Sequence, residues 1–418
     1  MDHDVIIIGA GMAGLACART LQAAGIDTVI LEGSDGVGGR VRTDLVDGHR
    51  LDRGFQILLT AYPELQRWFD LETLGLREFS PGSRIWTGRR FHTVGDPLRR
   101  PADLPATLIA PIGSVADKLR LLKLLISVRS GSARGLLHRP DMSTRDRLRK
   151  AGFSPRFIDT FMRPLFAGIQ LDPDLEVSSR RFEVILRMLA VGASAVPAAG
   201  MGALSDELAR PLHPGSVHLH SCVVEIGSNR VVLADGSSMT ARHIVVATEG
   251  PAASKLLPQL SDPGSRSVAA VWFSMPATPI RGRHILLDGT GSGPARNVAV
   301  MTEVAPSYAP TGRSLLVAAV PGPEALTADL ESQVRTQLRG WFGSDVDQWR
   351  TLRTDVIRHG QPLQSPPFDP RRSVRLGDDL WVCGDHRDTA SIQGALFSGR
   401  RTAEAILSAV GPDPVPGD

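Results

Sequence analysis

Three cysteines, two tyrosines and four lysines in 418 residues are the scarcities that first narrow this sequence. Cys17, Cys222 and Cys383 are odd in number and share no metal-ligand spacing, so neither a disulfide framework nor a metal is expected, and free thiols in a reducing compartment are. No apolar run reaches the roughly 18 residues of a spanning helix. The first strand starts by about Val5, without a basic region, apolar core or cleavage site before it, so a soluble, cytoplasmic protein is the expectation. Charge of one sign is lacking as well. The 47 Lys and Arg nearly balance 44 Asp and Glu, the net charge is +3, and acids lie scattered among the arginines, which does not argue for a nucleic-acid partner. The length exceeds one average core, so two or three domains are expected.

Glycine is plentiful, 42 in all, and its placement carries the first functional signal. An apolar, mostly β-branched run, Val5-Ile6-Ile7-Ile8, reads as a buried parallel strand. Gly9, Gly11 and Gly14 follow with dinucleotide-turn spacing and open a helix over 12–24. Gly9 permits the tight turn, Gly11 lets backbone approach a pyrophosphate, and Gly14 lets helix and strand pack closely. The N–H groups at Met12 and Ala13 and the positive end of the helix dipole then face the phosphates. A second strand, 27–31, ends in Glu32, placed to accept from ribose hydroxyls. A second glycine-rich loop, 33–43, adds Gly38, Gly39, Arg40 and Arg42, whose small residues suit an extended cofactor and whose arginines suit pyrophosphate oxygens.

The second loop resembles the second flavin fingerprint of the FAD-dependent amine oxidase superfamily, which includes protoporphyrinogen oxidases and carotenoid desaturases. The resemblance implies tightly held, non-covalent FAD. It further implies that Gly54, Phe55 and Gln56 run along the flavin, that the backbone of Val223 and Val224 reads the adenine, and that Thr248 marks a ligand-facing strand end. At the far end of the chain, Cys383-Gly384-Asp385 and the helix 391–409 match the family's closing motif. Asp385 is then assigned to a ribityl hydroxyl, and the N–H groups at Ile392, Gln393, Gly394 and Ala395 to the pyrimidine end of the flavin, where reduction gathers negative charge. The run Phe161 to Pro173 followed by Val177-Ser178-Ser179, and the turn Pro197 to Gly202, are similar to stretches of protoporphyrinogen oxidases and desaturases. The implied fold is α/β: a Rossmann-type FAD-binding domain from 1–73, 214–268 and 375–418, with a discontinuous α+β substrate domain from 74–213 and 269–374. The first part of that substrate domain reads as helical, and the second as a mostly antiparallel sheet with a helix over 324–342.

Two departures bear on the chemistry. Amine oxidases of this group build an aromatic cage just before the final helix, whereas 386–391 holds no aromatic residue. They also place a lysine near the flavin in the later half of the substrate domain, whereas none follows Lys255. The reading is therefore a dehydrogenase or desaturase acting on a bulky, largely apolar small molecule, with oxygen or a quinone as electron acceptor. An amine oxidase is the alternative, and a flavin-binding protein without turnover the second alternative. His386 is the catalytic candidate, with a structural role equally open. Arg53 and Arg163 are candidates for substrate carboxylates. Cys383 lies inside a strand, which disfavours a covalent flavin link. The leucine-rich helix around 119–128, flanked by Arg120, Lys123 and Arg129, reads as core-facing, with peripheral membrane contact as the other reading.

Overall fold

The computed structural model describes residues 1–96 and 98–410. Strand His3–Ile8 pairs in parallel with Thr28–Leu31 on one side and Ser238–Val246 on the other. Val5 and Ile7 enter one apolar core, Ile6 and Ile8 another. Alternate strand residues face opposite ways, so an unbroken apolar run is what a sheet covered on both faces demands. Val217–His218 extends the sheet beyond Thr28–Leu31. Leu380–Val382 adds in parallel beside Ser238–Val246, which also ends an antiparallel meander with Val223–Gly227 and Arg230–Leu233. One seven-stranded sheet is thus assembled from distant stretches of chain.

A second seven-stranded sheet runs in the order Arg350–Pro362, Ser265–Met275, Ser314–Pro321, Asn297–Val300, Ile285–Asp288, Gly82–Trp86, Phe91–Gly95. Every neighbour is antiparallel except Ile285–Asp288 against Gly82–Trp86. Helix Leu330–Phe342 covers it, with Val334, Leu338 and Trp341 in the shared core, and the expected start near 324 is instead a short turn, Pro323–Leu326. Four strands differ from expectation. The hairpin Gly82–Trp86 and Phe91–Gly95 lies in a stretch read as helical; it is held by the cross-strand pair Trp86 and Phe91, 5.2 Å between ring centres. Arg350–Pro362 is a long edge strand whose polar residues bind neighbours, so it shows no apolar run. Ser265–Met275 lies wholly in this second sheet and crosses the 268/269 boundary expected between domains.

Helix Val115–Arg129 starts in a reciprocal cap, Ser114 with Asp117. It buries Leu124, Leu125 and Val128, but Val115, Leu119 and Ile126 face outward, so it is only partly the core-facing helix expected. Its end is tied to helix Ser179–Val191: Arg129 Nη1 donates to Ala190 O at 2.8 Å and Arg187 Nη1 to Val128 O at 2.6 Å. Among the described residues no helix is long and apolar enough to cross a membrane. The final helix, Ile392–Val410, lies against the first, Met12–Ala23, so closely that a Cβ on Gly399 would stand 2.1 Å from Ala13 O.

Candidate active site

The two glycine loops lie side by side. Gly38 N donates to Ala10 O at 2.8 Å, and a Cβ on Gly39 would stand 3.5 Å from Gly11 Cα. Gly9 has φ +107° and donates to Leu31 O, while a Cβ on Gly14 would collide with Gly9 O at 2.0 Å. A Cβ on Gly11 would meet nothing within 4 Å, which leaves space above the first helix, itself begun without a side-chain cap; Met12 and Ala13 are buried behind it. Glu32 closes the loop ends, accepting from Ala10 N at 2.7 Å and Ser34 N at 2.9 Å. The acid at the strand end therefore organises this turn whatever it also binds.

Residues from the far end of the chain meet this cradle. Arg40 Nη2 donates to Asp385 Oδ1 at 2.8 Å and Nη1 to Gly360 O at 2.6 Å. Gln56 Nε2 donates to Arg40 O at 2.6 Å, and Gly54, at φ +92°, carries the chain past Ile357 with Phe55 half-buried beside it. Arg40 is thus engaged by Asp385, and Arg42 by Asp35 at 2.8 Å, so neither guanidinium is left free by the fold as the sequence suggested. At the final helix, Gln393 Oε1 accepts from Glu64 N at 2.8 Å. Ala395 N donates to Ser391 O, and a Cβ on Gly394 would stand 1.9 Å from Thr389 O, while Ile392 packs on the main core. Val223 is buried at the start of the meander and Val224 is exposed, with Cys222 alongside Gly33.

His386 is 3% exposed and neither ring nitrogen has a partner. A Cβ on Gly384 would stand 2.6 Å from its ring and 3.5 Å from Thr248 O, so Gly384, His386 and Thr248 share one spot. Burial holds its pKa down to about 4, and the ring is neutral at pH 7. Burial also pushes Asp388, two residues on, up to about 6. Arg53 and Arg163 are engaged in ion pairs, with Asp44 at 3.1 Å and Asp159 at 2.8 Å. Cys383 is fully buried against Cys17 of the first helix, facing core and not the cradle.

Sequence reasoning passed over Arg181, Gln170 and Gln361. Arg181 Nη2 donates to Gln361 Oε1 at 2.9 Å and to Ala390 O, on the loop before the final helix, while its Nη1 has no partner. Nothing in the run Ser178-Ser179-Arg180-Arg181 distinguishes a site arginine from a surface one.

The open space above Gly11, the paired glycine loops and the unpartnered nitrogens of His386 suit a dinucleotide with a polar ring system, and the residues present fit FAD. The fold and this site define a dinucleotide-binding oxidoreductase. A sequence model of flavin containing amine oxidoreductases matches residues 12–407, and the chain belongs to that family; it is an FAD-dependent oxidoreductase. It is 23% identical over 471 aligned residues to a 15-cis-phytoene desaturase of Capsicum annuum, covering 97% of this chain and 78% of that protein. A putrescine oxidase of Kocuria rosea is 43% identical over 79 residues, 19% of this chain, and the chain spans only 16% of that relative's length in the match. A solved structure from Exiguobacterium sp. 255-15, assigned as a protoporphyrinogen oxidase, superposes with a TM-score of 0.73 over 97% of this chain and 99% of the other at 19% identity, a likeness of fold.

Proposed function

We propose that the chain is a dehydrogenase or desaturase that removes hydride from a bulky, largely apolar substrate and passes the electrons to a quinone-type acceptor more readily than to oxygen. FAD, when bound, supplies the hydride-accepting chemistry. The chain's own residues bind and orient. Main-chain N–H groups at Met12 and Ala13 face phosphate, Asp385 held by Arg40 accepts from a hydroxyl, and the start of the final helix favours negative charge. Neutral His386 offers one donor and one acceptor without adding charge.

The observation that carries this reading is the loop from His386 to Ser391, which holds no Phe, Tyr or Trp where an amine cage needs one. Of the two tyrosines, Tyr308 is fully buried with its hydroxyl on Asp52 Oδ2 at 3.0 Å, so it is not available to a substrate. Likeness to a phytoene desaturase supports the same direction. Outward-facing Ile109, Val115, Leu119 and Ile126, beside exposed Lys123, suit contact with an anionic lipid surface from which an apolar substrate is drawn, and co-sedimentation with phosphatidylglycerol vesicles tests that contact.

Likeness to a putrescine oxidase favours the second reading, an amine oxidase with a different device for holding the amine. Stopped-flow reoxidation of the reduced holoenzyme separates the two. Fast reaction with a quinone and slow reaction with oxygen supports the dehydrogenase. Rapid reoxidation by oxygen, with peroxide released from polyamines or aromatic amines, replaces it with the oxidase.

A further inference from the structure

Arg181 is 3% exposed, and no described carboxylate lies within ion-pair distance of its guanidinium. The other cations at this place are neutralised: Arg40 by Asp385 and Arg266 by Asp172, each at 2.8 Å. Arg181 spends a single nitrogen, Nη2, on two neutral acceptors and leaves Nη1 without a partner. Gln361, which accepts one of those bonds, donates in turn to Ile169 O at 2.9 Å. The next residue, Gln170, is wholly buried, and neither its amide nitrogen nor its amide oxygen is bonded. Tyr62, in contact with Ser391, faces the same guanidinium.

A buried cation and a buried amide without protein partners both cost folding free energy, and pairing with a bound group is one use that offsets the cost. Their position supplies the use. Ala390 and Ser391 lead directly into Ile392–Ala395, which the family resemblance assigns to the flavin, so Arg181, bonded to Ala390 O, stands close to the start of that helix. A carboxylate arriving there accepts a charge-assisted bond from Arg181 Nη1 and a second from the Gln170 amide, and it balances the leftover charge. An ammonium arriving there meets a like charge in a dry environment.

We propose that Arg181 and Gln170 receive a carboxylate of the substrate, which makes the substrate an amphiphile, apolar along its length and anionic at the end held beside the start of the final helix. This rests on the reading of a bulky, largely apolar substrate given above. The same nitrogens could serve the negative charge of reduced flavin, and the experiment separates the two sources.

The holoenzyme is titrated with octanoate, octylamine and octanol while the visible flavin bands are followed. Octanoate is expected to shift the bands saturably, with octylamine and octanol at least about tenfold weaker, and Arg181→Met is expected to weaken octanoate by at least about tenfold, the scale of one lost charged hydrogen bond. Arg181→Lys retains part of the affinity and Gln170→Leu loses part, and these two variants carry the comparison if the methionine variant does not fold. Equal affinity for octylamine and octanoate overturns the proposal, as does full octanoate affinity in Arg181→Met. A shifted flavin reduction potential in Arg181→Met with octanoate binding intact also overturns it and assigns the arginine to the cofactor. Because octanoate binding needs no turnover, it stands apart from the dehydrogenase reading: saturable octanoate binding together with polyamine oxidation sinks that reading alone, and no octanoate binding together with quinone reoxidation sinks the carboxylate site alone.

Discussion

His386 makes a measurable demand on stability. Its folded pKa of about 4 lies below the roughly 6.5 of an exposed histidine, so on acidification the unfolded chain takes up the proton first. The stability tied to the neutral ring is complete above about pH 6.5 and is lost as pH falls toward about 4. Each pH unit in that window costs about 1.4 kcal/mol, which comes to about 2 kcal/mol by about pH 5 and about 3 kcal/mol at about pH 4. His386→Leu keeps comparable bulk against Gly384 and Gly250 and removes the titration. Urea unfolding of both proteins near pH 7.5 and near pH 5 provides the test. The difference in unfolding free energy between variant and wild type is expected to move by about 2 kcal/mol in favour of the variant at the lower pH. His284, also held down to about 4 by burial, titrates in both proteins and cancels in the comparison. An unchanged difference at the two pH values refutes the argument and means that His386 is protonated or solvated in the folded chain.

Gly14→Ala places a methyl group 2.0 Å from Gly9 O, and a loss of at least about 3 kcal/mol, read as a lower thermal midpoint together with less bound flavin per chain, is expected. Arg40→Met strands Asp385, which is 6% exposed, at a cost of about 3 kcal/mol; adding Asp385→Leu restores part of it, and a double-mutant cycle showing no coupling contradicts the pairing. Of the three thiols only Cys222 is exposed, so a thiol reagent is expected to label one cysteine per native chain and all three in denaturant.

The cradle was legible because its signals are local. Gly9, Gly11, Gly14 and Glu32 fall within one strand–helix–strand unit, and Gly9, with its positive φ, and Gly14, against Gly9 O, have steric reasons that the spacing already suggests. Contacts across the chain were not legible. Arg40 meets Asp385 across 345 positions, and in sequence the arginine looked free for phosphate. The edge strand Arg350–Pro362 was hidden because polar residues interrupt it, among them Arg350, which binds Asp47, and Arg353, which binds Asp44 and Asp355. The hairpin Gly82–Gly95 was masked by a turn of charged residues, Arg89 and Arg90, between two aromatic strands. Arg181 was invisible for the opposite reason: its significance lies in the lack of a partner, which only packing discloses.

The interleaved sheet has a consequence for biosynthesis. The glycine loops leave the ribosome early, but Asp385 and the final helix that complete the site follow 345 residues after Arg40. At usual elongation rates the nascent chain therefore waits on the order of 20–70 s with half a cradle. Through that interval Val246 and its neighbours in the central sheet lack the last strand, Leu380–Val382, that covers their edge. A cradle closed by Asp385 and the final helix is thus open to flavin only after those last elements have been made.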